Sequence, residues 1–345
     1  MTRALYLDAA PGETRGVVTL DGRPERLLIA RTDDLAGQTL GAVSVGRVRR
    51  IDRSLSSLFI DLGEGPDAVL PLNGEAGKLA EGAAIEVELV AEAHAEKGAV
   101  ARLRGPADGA PRLLRPAPSL ESALKAFAPE ASVVTGQRAR EAADIAESAA
   151  LAIDHALPGG GSIAIEPTRA LVAIDVDMGA ASGDARRRSR AVNHAAIAQA
   201  ARLLRLKALA GLVVIDLVGA GHDGAGLTAA AKVAFAPDDP GVSIGPISRF
   251  GLIQIVTPRR RRPISDRLCG ATGAPTPATV ALRMLRALER EGRADGGARL
   301  IAECAPDVER GAAPYIGLLA ASLGRRFEIL SNVASPPDRF EVTRR

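Results

Sequence analysis

Short apolar runs fill the first hundred positions, and afterwards helical stretches alternate with further short apolar runs. The runs ALYLD, GVVTL and ERLLIA over residues 3–31 predict three strands, with Asp21-Gly22 as a tight turn between the last two. Five further runs, GAVSVGRVRRI, SSLFIDLG, DAVLPL, AAIEVELV and GAVARLR, lie between residues 41 and 104. Five short strands separated by Gly, Pro and Asn clusters suit a small OB-type barrel. The Pro-rich stretch 105–118 reads as a linker. Helices are expected over 119–127 and 137–157, the second stopped by Pro158 and the glycines at 159–161.

The centre of the chain is a strand, helix, strand pattern. LVAIDVD (171–177) and GLVVID (211–216) are apolar runs ending in acid. Between them, residues 186–209 contain no Pro or Gly and place Val192, Ala196, Leu203, Leu206 and Leu209 at roughly helical spacing. Such a crossover makes the two strands parallel, and neighbours if nothing inserts between them. Asp175 and Asp216 would then project from adjacent strand ends, where α/β sheets usually carry ligands. Two close carboxylates repel unless a proton or cation lies between them. With no His or Cys beside them, Mg²⁺ or Mn²⁺ is the natural guest. Arg186, Arg187, Arg188 and Arg190 open the helix, and Arg202, Arg205 and Lys207 continue it. Cations beside an acidic metal site suit a polyanionic substrate. The plainer reading is that strand-end acids are common and that charge runs are solvated faces.

Beyond Asp216, residues 219–224 spell GxGxxG after a strand and before a helix, which alone would suggest a dinucleotide fold. Two features oppose it. The acid expected about 20 residues on could only be Asp238 or Asp239, both between prolines, and Asp216 would face the pyrophosphate without a metal. A helix over 227–236 and the strand pair GVSIGPI and GLIQIVT follow, flanking Ser248-Arg249-Phe250. The four arginines at 259–262 read equally as a phosphate clamp or an exposed loop. Helices over 277–291 and near 312–323, with strands RFEIL and RFEVT, predict a small α/β appendage.

Composition narrows the classes. The chain's 345 residues allow two or three domains, and 47% apolar with 25% charged residues is ordinary globular composition. A net charge of +3 permits nucleic-acid binding without demanding it. Aromatics are 2% and Trp is absent, so stacking platforms are sparse; Phe59 is the one aromatic of the barrel, as core or as platform. Cys269 and Cys304 form no CxxC and suggest no disulfide framework, and His94, His155, His194 and His222 show no zinc spacing. The start lacks a signal-like apolar segment and no run is long enough to span a membrane, so a cytoplasmic enzyme or binding protein is expected.

Several of these stretches together resemble the catalytic region of the bacterial ribonuclease E/G family. LPGGGSIAIEPTRALVAIDVD (157–177) resembles the lead into its first metal-binding aspartate, ARLLRLKALAGLVVID (201–216) the helix and strand carrying the second, and ISRFGLIQ (247–254) a further catalytic signature. GRVRRIDRSLSSLFIDLGEGPDAVLPL (46–72) resembles its OB-fold RNA-binding domain, and the tail its small C-terminal domain. The resemblance implies an α/β multidomain protein. A ribonuclease-H-like subdomain (1–38 and 112–166) would hold an inserted OB barrel (39–105). A DNase-I-like catalytic subdomain (167–263) and a small C-terminal domain (275–345) would follow. It implies an endoribonuclease that cuts single-stranded RNA with Mg²⁺, or Mn²⁺, held by Asp175 and Asp216. Asp177 stands in place of a supporting Asn, and Asn193 and Arg249 match polar positions near the site. RNA contacts are expected from Phe59, Arg47, Arg49, Arg186, Arg187 and Arg188.

The departures are specific. Gly219 stands where the family usually has another acid, and Val69 where the barrel has a second stacking aromatic. The CxxC zinc link is reduced to Cys269, so no zinc is expected and a homodimer is left open. A phosphate-sensing domain has no room between the barrel and residue 119. The competing expectation is a relative that binds RNA with weak turnover or none.

Overall fold

Alternation in the first 31 residues builds a meander of β1 (Arg3–Ala10), β2 (Glu13–Leu20) and β3 (Arg23–Arg31), with Asp21 and Gly22 at φ 49° and 77° making the tight turn. The computed structural model describes residues 2–94, 97–179, 184–219 and 223–345. The next five strands are β4 (Val43–Asp52), β5 (Ser57–Asp61), β6 (Ala68–Pro71), β7 (Ala84–Ala91) and β8 (Val100–Pro106). They run in the order β5-β6-β8-β7-β4, and β4 pairing with β5 closes them into a barrel around Leu58, Ile60, Ile85, Val87 and Leu89. The segment expected as a linker instead contributes β9 (Arg112–Arg115), which adds to β4. Its ladder bonds keep it extended although all four of its side chains are exposed, so no apolar alternation announces it.

After α1 (Leu120–Lys125) and the two-residue β10 (Val133–Val134), which pairs parallel to β1, comes α2 (Gln137–Leu151). The helix ends six positions before the 157 expected from sequence, because residues 154–156 form β11 (Asp154–Ala156), one arm of a hairpin around Gly159, Gly160 and Gly161. The meander is buried on both faces. Leu124 of α1 packs against Leu5, Val18 and Leu28, whereas Val17 and Leu27 join the large central core.

That core lies under a six-stranded sheet. Its further strands are β12 (Ser162–Pro167), β13 (Val172–Asp177), β14 (Gly211–Asp216), β15 (Ser243–Ile244) and β16 (Leu252–Thr257), in the order β11-β12-β13-β14-β16-β15. Among the described residues its one parallel pair is β13 with β14, joined by α3 (Ala185–Lys207) as the crossover pattern requires. Ile174, Val176, Val213, Ile215, Ile253 and Ile255 point toward α3 and α4 (Gly224–Phe235) and bury against Ala196, Ile197, Ala200 and Leu203. The sheet takes in β11 and β12, so it crosses the boundary expected at 166–167.

The tail follows α5 (Ile264–Leu268). It comprises α6 (Pro277–Ala294), β17 (Leu300–Cys304), α7 (Pro306–Ala312), α8 (Ile316–Leu323), β18 (Phe327–Ser331) and β19 (Phe340–Arg344). Strand β17, absent from the sequence expectation, is the centre of its sheet, β18-β17-β19. A buried ion lattice ties α6 to the meander and α2. Arg15, 1% exposed, reaches Asp8 at 2.6 Å, and Glu147 and Asp144 at 2.8 Å each. Arg140 bridges Asp8 to Glu289, while Arg286 spans Glu13 and Glu147. Burial works to raise the Glu147 carboxyl, yet Arg286, Arg283 and Arg15 hold it below its usual range. Among the described residues no helix is long and apolar enough to cross a membrane.

Candidate functional site

Strand parity decides where the acids point. Val172, Ile174 and Val176 face the core, so Ala173, Asp175 and Asp177 face outward; on β14, Val213 and Ile215 face inward and Asp216 outward. The register sets Asp175 directly opposite Asp216, with Ala164 of β12 and Leu252 of β16 as their outer neighbours. Neighbouring strands run about 4.8 Å apart, so one ion could meet both carboxylates. Both side chains are exposed, and among the described residues neither has a hydrogen bond or an ion pair. Asp177, one pleat on, accepts the Gly179 N–H at 2.9 Å. Its backbone runs so close to Gly161 that a Cβ there would lie 2.3 Å from the Asp177 carbonyl oxygen, at a φ of +84°, so that turn requires glycine.

The donor set fits a hard divalent cation. Among the described residues no three His, Cys, Asp or Glu side chains gather into a ligand group. Asp175 and Asp216 would therefore offer two carboxylate oxygens and leave the other positions to water and substrate, as Mg²⁺ prefers.

Asn193 lies beneath the strand end that carries Asp216. It is 1% exposed on α3, donates through Nδ2 to the Val218 carbonyl at 3.0 Å and accepts the Val218 N–H at 3.0 Å. This two-point clamp fixes the chain just past Asp216. Gly219 follows at φ +87°, where a Cβ would sit 3.0 Å from Ser189 Cβ and Oγ. That turn therefore disfavours any side chain. Of the remaining GxGxxG stretch, Ala220, Gly221 and His222 lie outside the described residues, and Asp223 N-caps α4.

The arginines of α3 divide. Asp184 caps the helix by accepting the Arg186 N–H at 3.0 Å, and Arg186 and Arg187 project into solvent beside the helix N-terminus. Arg188 instead reaches back to the carbonyls of Met178 and Gly179, both at 3.4 Å, and Arg190 pairs with Asp223 at 3.0 Å. On the other flank of Asp216, the Leu217 N–H donates to the Gly251 carbonyl, joining β14 to the turn that carries Arg249 and Phe250. Ser248 Oγ accepts the N–H groups of Phe250 and Leu252, and the Arg249 guanidinium lies 4.7 Å over the Phe250 ring. Phe250 is 71% exposed, and no role is expected for it from the sequence beyond its place in the ISRFGLIQ stretch. The available signal was a Phe inside a Ser-Arg-Phe-Gly turn, where no alternating face claims it.

On the barrel, Phe59 points outward between the buried Leu58 and Ile60, opposite Val69. Arg47 is engaged with the carbonyls of Gly82 and Gly109, and Arg49 with Asp61 and Asp67. The arginine that meets Phe59 is Arg50, 4.2 Å over the ring. The run at 259–262 is engaged only in part: the Arg262 backbone N–H and, at 3.7 Å, Arg261 meet Glu92 of the barrel side, and Arg260 donates to the Pro240 carbonyl. Cys269 is half-buried on α5's end and Cys304 is buried in the tail core, with both thiols pushed up by burial.

Comparison with known proteins covers the central part of the chain. Residues 118–262 match the model of the Ribonuclease E/G family. Ribonuclease E of Escherichia coli (strain K12) is 33% identical over 147 residues, covering 39% of this chain and 14% of that protein. Ribonuclease E of Haemophilus influenzae is 34% identical over 150 residues, covering 39% of this chain and 16% of that protein. The chloroplastic Ribonuclease E/G-like protein of Arabidopsis thaliana is 33% identical over 129 residues, 34% of this chain and 13% of that protein. The match is therefore to a small fraction of each relative's length. Asp175, Asn193, Asp216 and Arg249 lie inside the family-model match, and the barrel and tail lie outside it.

Proposed function

We propose that this chain is a Mg²⁺-dependent endoribonuclease that cleaves single-stranded RNA in RNA processing or decay. The observation that carries the reading is the register pairing of Asp175 with Asp216 on an exposed face, with both carboxylates unpaired among the described residues. A divalent ion held there would supply Lewis-acid stabilisation and a metal-activated water for attack on the phosphodiester. The protein's own groups do the rest. Asn193 fixes the strand end that aims Asp216. Arg186 and Arg187, at a helix N-terminus, draw in phosphates. Arg249 and Phe250 border the acids and offer a cation and a ring to the RNA. Phe59, with Arg50 stacked on it, offers a second platform on the barrel. In this reading the meander with α2 corresponds to the ribonuclease-H-like subdomain and the six-stranded sheet to the DNase-I-like one.

A second reading, RNA binding without turnover, draws on Gly219, whose turn excludes the acid usual there. One experiment separates the two. The purified chain is incubated with end-labelled single-stranded RNA in Mg²⁺ or EDTA, beside Asp175→Asn and Asp216→Asn. Cleavage in Mg²⁺ that stops in EDTA and in both variants, with binding retained, supports the nuclease. Binding with no cleavage in any condition supports the second reading.

A further inference from the structure

We propose that the cavity behind the central sheet, between β3, α1 and the end of β16, binds a free nucleoside monophosphate. The cavity measures about 330 Å³, within the size range of small-molecule sites. Its lining is charged in one direction: Arg26, Arg205, Arg260 and Arg261 against Asp238 alone. Asp238 is shared, lying 2.8 Å from Arg205 and 3.5 Å from Arg26. Arg205 is further matched by Glu25, but among the described residues Arg261 finds only Glu92 at 3.7 Å, and Arg260 only the Pro240 carbonyl. Burial pushes the Arg26 and Arg261 guanidinium groups down, against the pull of Asp238 on the first and Glu92 on the second.

Two polar groups in the lining have no partner. Thr257 is 8% exposed and its buried hydroxyl bonds to nothing among the described residues; the same holds for Arg26 Nε. A buried hydroxyl left unpaired costs about 1–3 kcal/mol, so its retention at a cavity wall points to a ligand that completes it. The lining offers two kinds of surface. Thr257 with Arg260 and Arg261 supplies a hydroxyl and two cations, the donor set of a phosphate site. The Arg26 guanidinium lies 4.5 Å over the Phe127 ring, and with Leu28 and Leu40 in the same lining it offers a partly apolar surface on which a base can stack.

This site is separate from the acid pair. Thr257 pairs with Gly211, at the far end of β14 from Asp216, and faces the helix-covered side. Five residues of strand place them about 17 Å apart along β14. The inference therefore stands apart from the nuclease reading.

The test is calorimetric titration of the full chain with UMP, uridine, inorganic phosphate and a 5′-phosphorylated uridine trinucleotide. Thr257→Val and Arg261→Gln are titrated in parallel, with melting curves as a fold control. Thr257→Val keeps the side-chain shape and removes the unpaired hydroxyl, so its melting temperature is expected to hold or rise. The expected result is saturable one-to-one UMP binding that each variant weakens about tenfold, the scale of one lost hydrogen bond. Absence of UMP binding overturns the proposal, as does binding that neither variant alters. Inorganic phosphate or uridine binding as tightly as UMP overturns the ligand class. A trinucleotide binding as tightly overturns the assignment to a free nucleotide.

Discussion

Two sets of carboxylates in this molecule live under opposite conditions. Asp8, Glu13, Glu147 and Glu289 are buried and each meets at least two arginines. Asp175 and Asp216 are exposed, face each other across one strand pair, and have no arginine among the described residues although Arg186 and Arg187 stand nearby in sequence. The first set shows that the fold readily supplies guanidinium partners where an acid must be neutralised. Leaving the second set bare is therefore a property of that place, and it raises local repulsion that a cation would relieve.

The comparison can be broken at its buried side first. Arg15→Met leaves Asp8 and Glu147 short of a counter-ion in the interior, and loss of one partner of a buried pair costs about 3–5 kcal/mol. Urea unfolding should show that loss; an unchanged midpoint would mean that the lattice is dispensable. At the open side the opposite is expected. Asp216→Asn should leave stability equal or slightly higher, because a repulsion is removed, while cleavage falls about a thousandfold, equivalent to about 4 kcal/mol of transition-state stabilisation. Added Mg²⁺ should raise the melting temperature of the parent chain and not of the variant, a readout that does not depend on turnover.

Asn193→Ala joins the two sides. Its two hydrogen bonds to Val218 are buried, so stability should drop by about 1–3 kcal/mol and cleavage should fall with it. A stability loss with full kcat would show that the clamp does not position Asp216. The smallest effect concerns pH. The His155 imidazole on β11 is pushed down to about 4, by burial first and then by Lys207 and Arg202. Its ordinary value is near 6.5, so between pH 6.5 and 4 the unfolded chain takes up the proton more readily. The stability that His155 contributes is complete above pH 6.5 and is lost as pH falls through about 4. His155→Asn should flatten the melting temperature over that window; partial exposure of the ring keeps the change small.

The acid pair was legible because strand parity has a period of two and the crossover fixes parallel neighbours. LVAIDVD and GLVVID then assign faces to Asp175 and Asp216 without further information. The barrel was legible for the same reason. What alternation does not encode was missed. Strand β9 has no buried face, and β17 lies in a short apolar run that its two partners explain only once they are placed. The end of α2 was lost because its last residues are as compatible with helix as with the β11 hairpin. The partners of Arg15 and Arg286 stand 132 and 273 positions away at Glu147 and Glu13, beyond any local pattern. The same holds for Arg47 and Arg49, whose charges look free in sequence and are occupied in the fold.

The lattice also sets an order on the making of the molecule. Glu13 sits on the second strand and Arg286 on the last long helix, so a chain made from its N-terminus carries the acid through 273 positions before that counter-ion exists. Arg15 and Glu147 can meet earlier, but Glu147 waits for Arg283 and Arg286 to complete its shell. The meander shares its core with the sheet that bears Asp175 and Asp216, through Val17 and Leu27. That support is finished only when α6 arrives. A chain truncated before residue 277 would keep both aspartates and lose the counter-charges that Arg283 and Arg286 bring to Glu147 and Glu13.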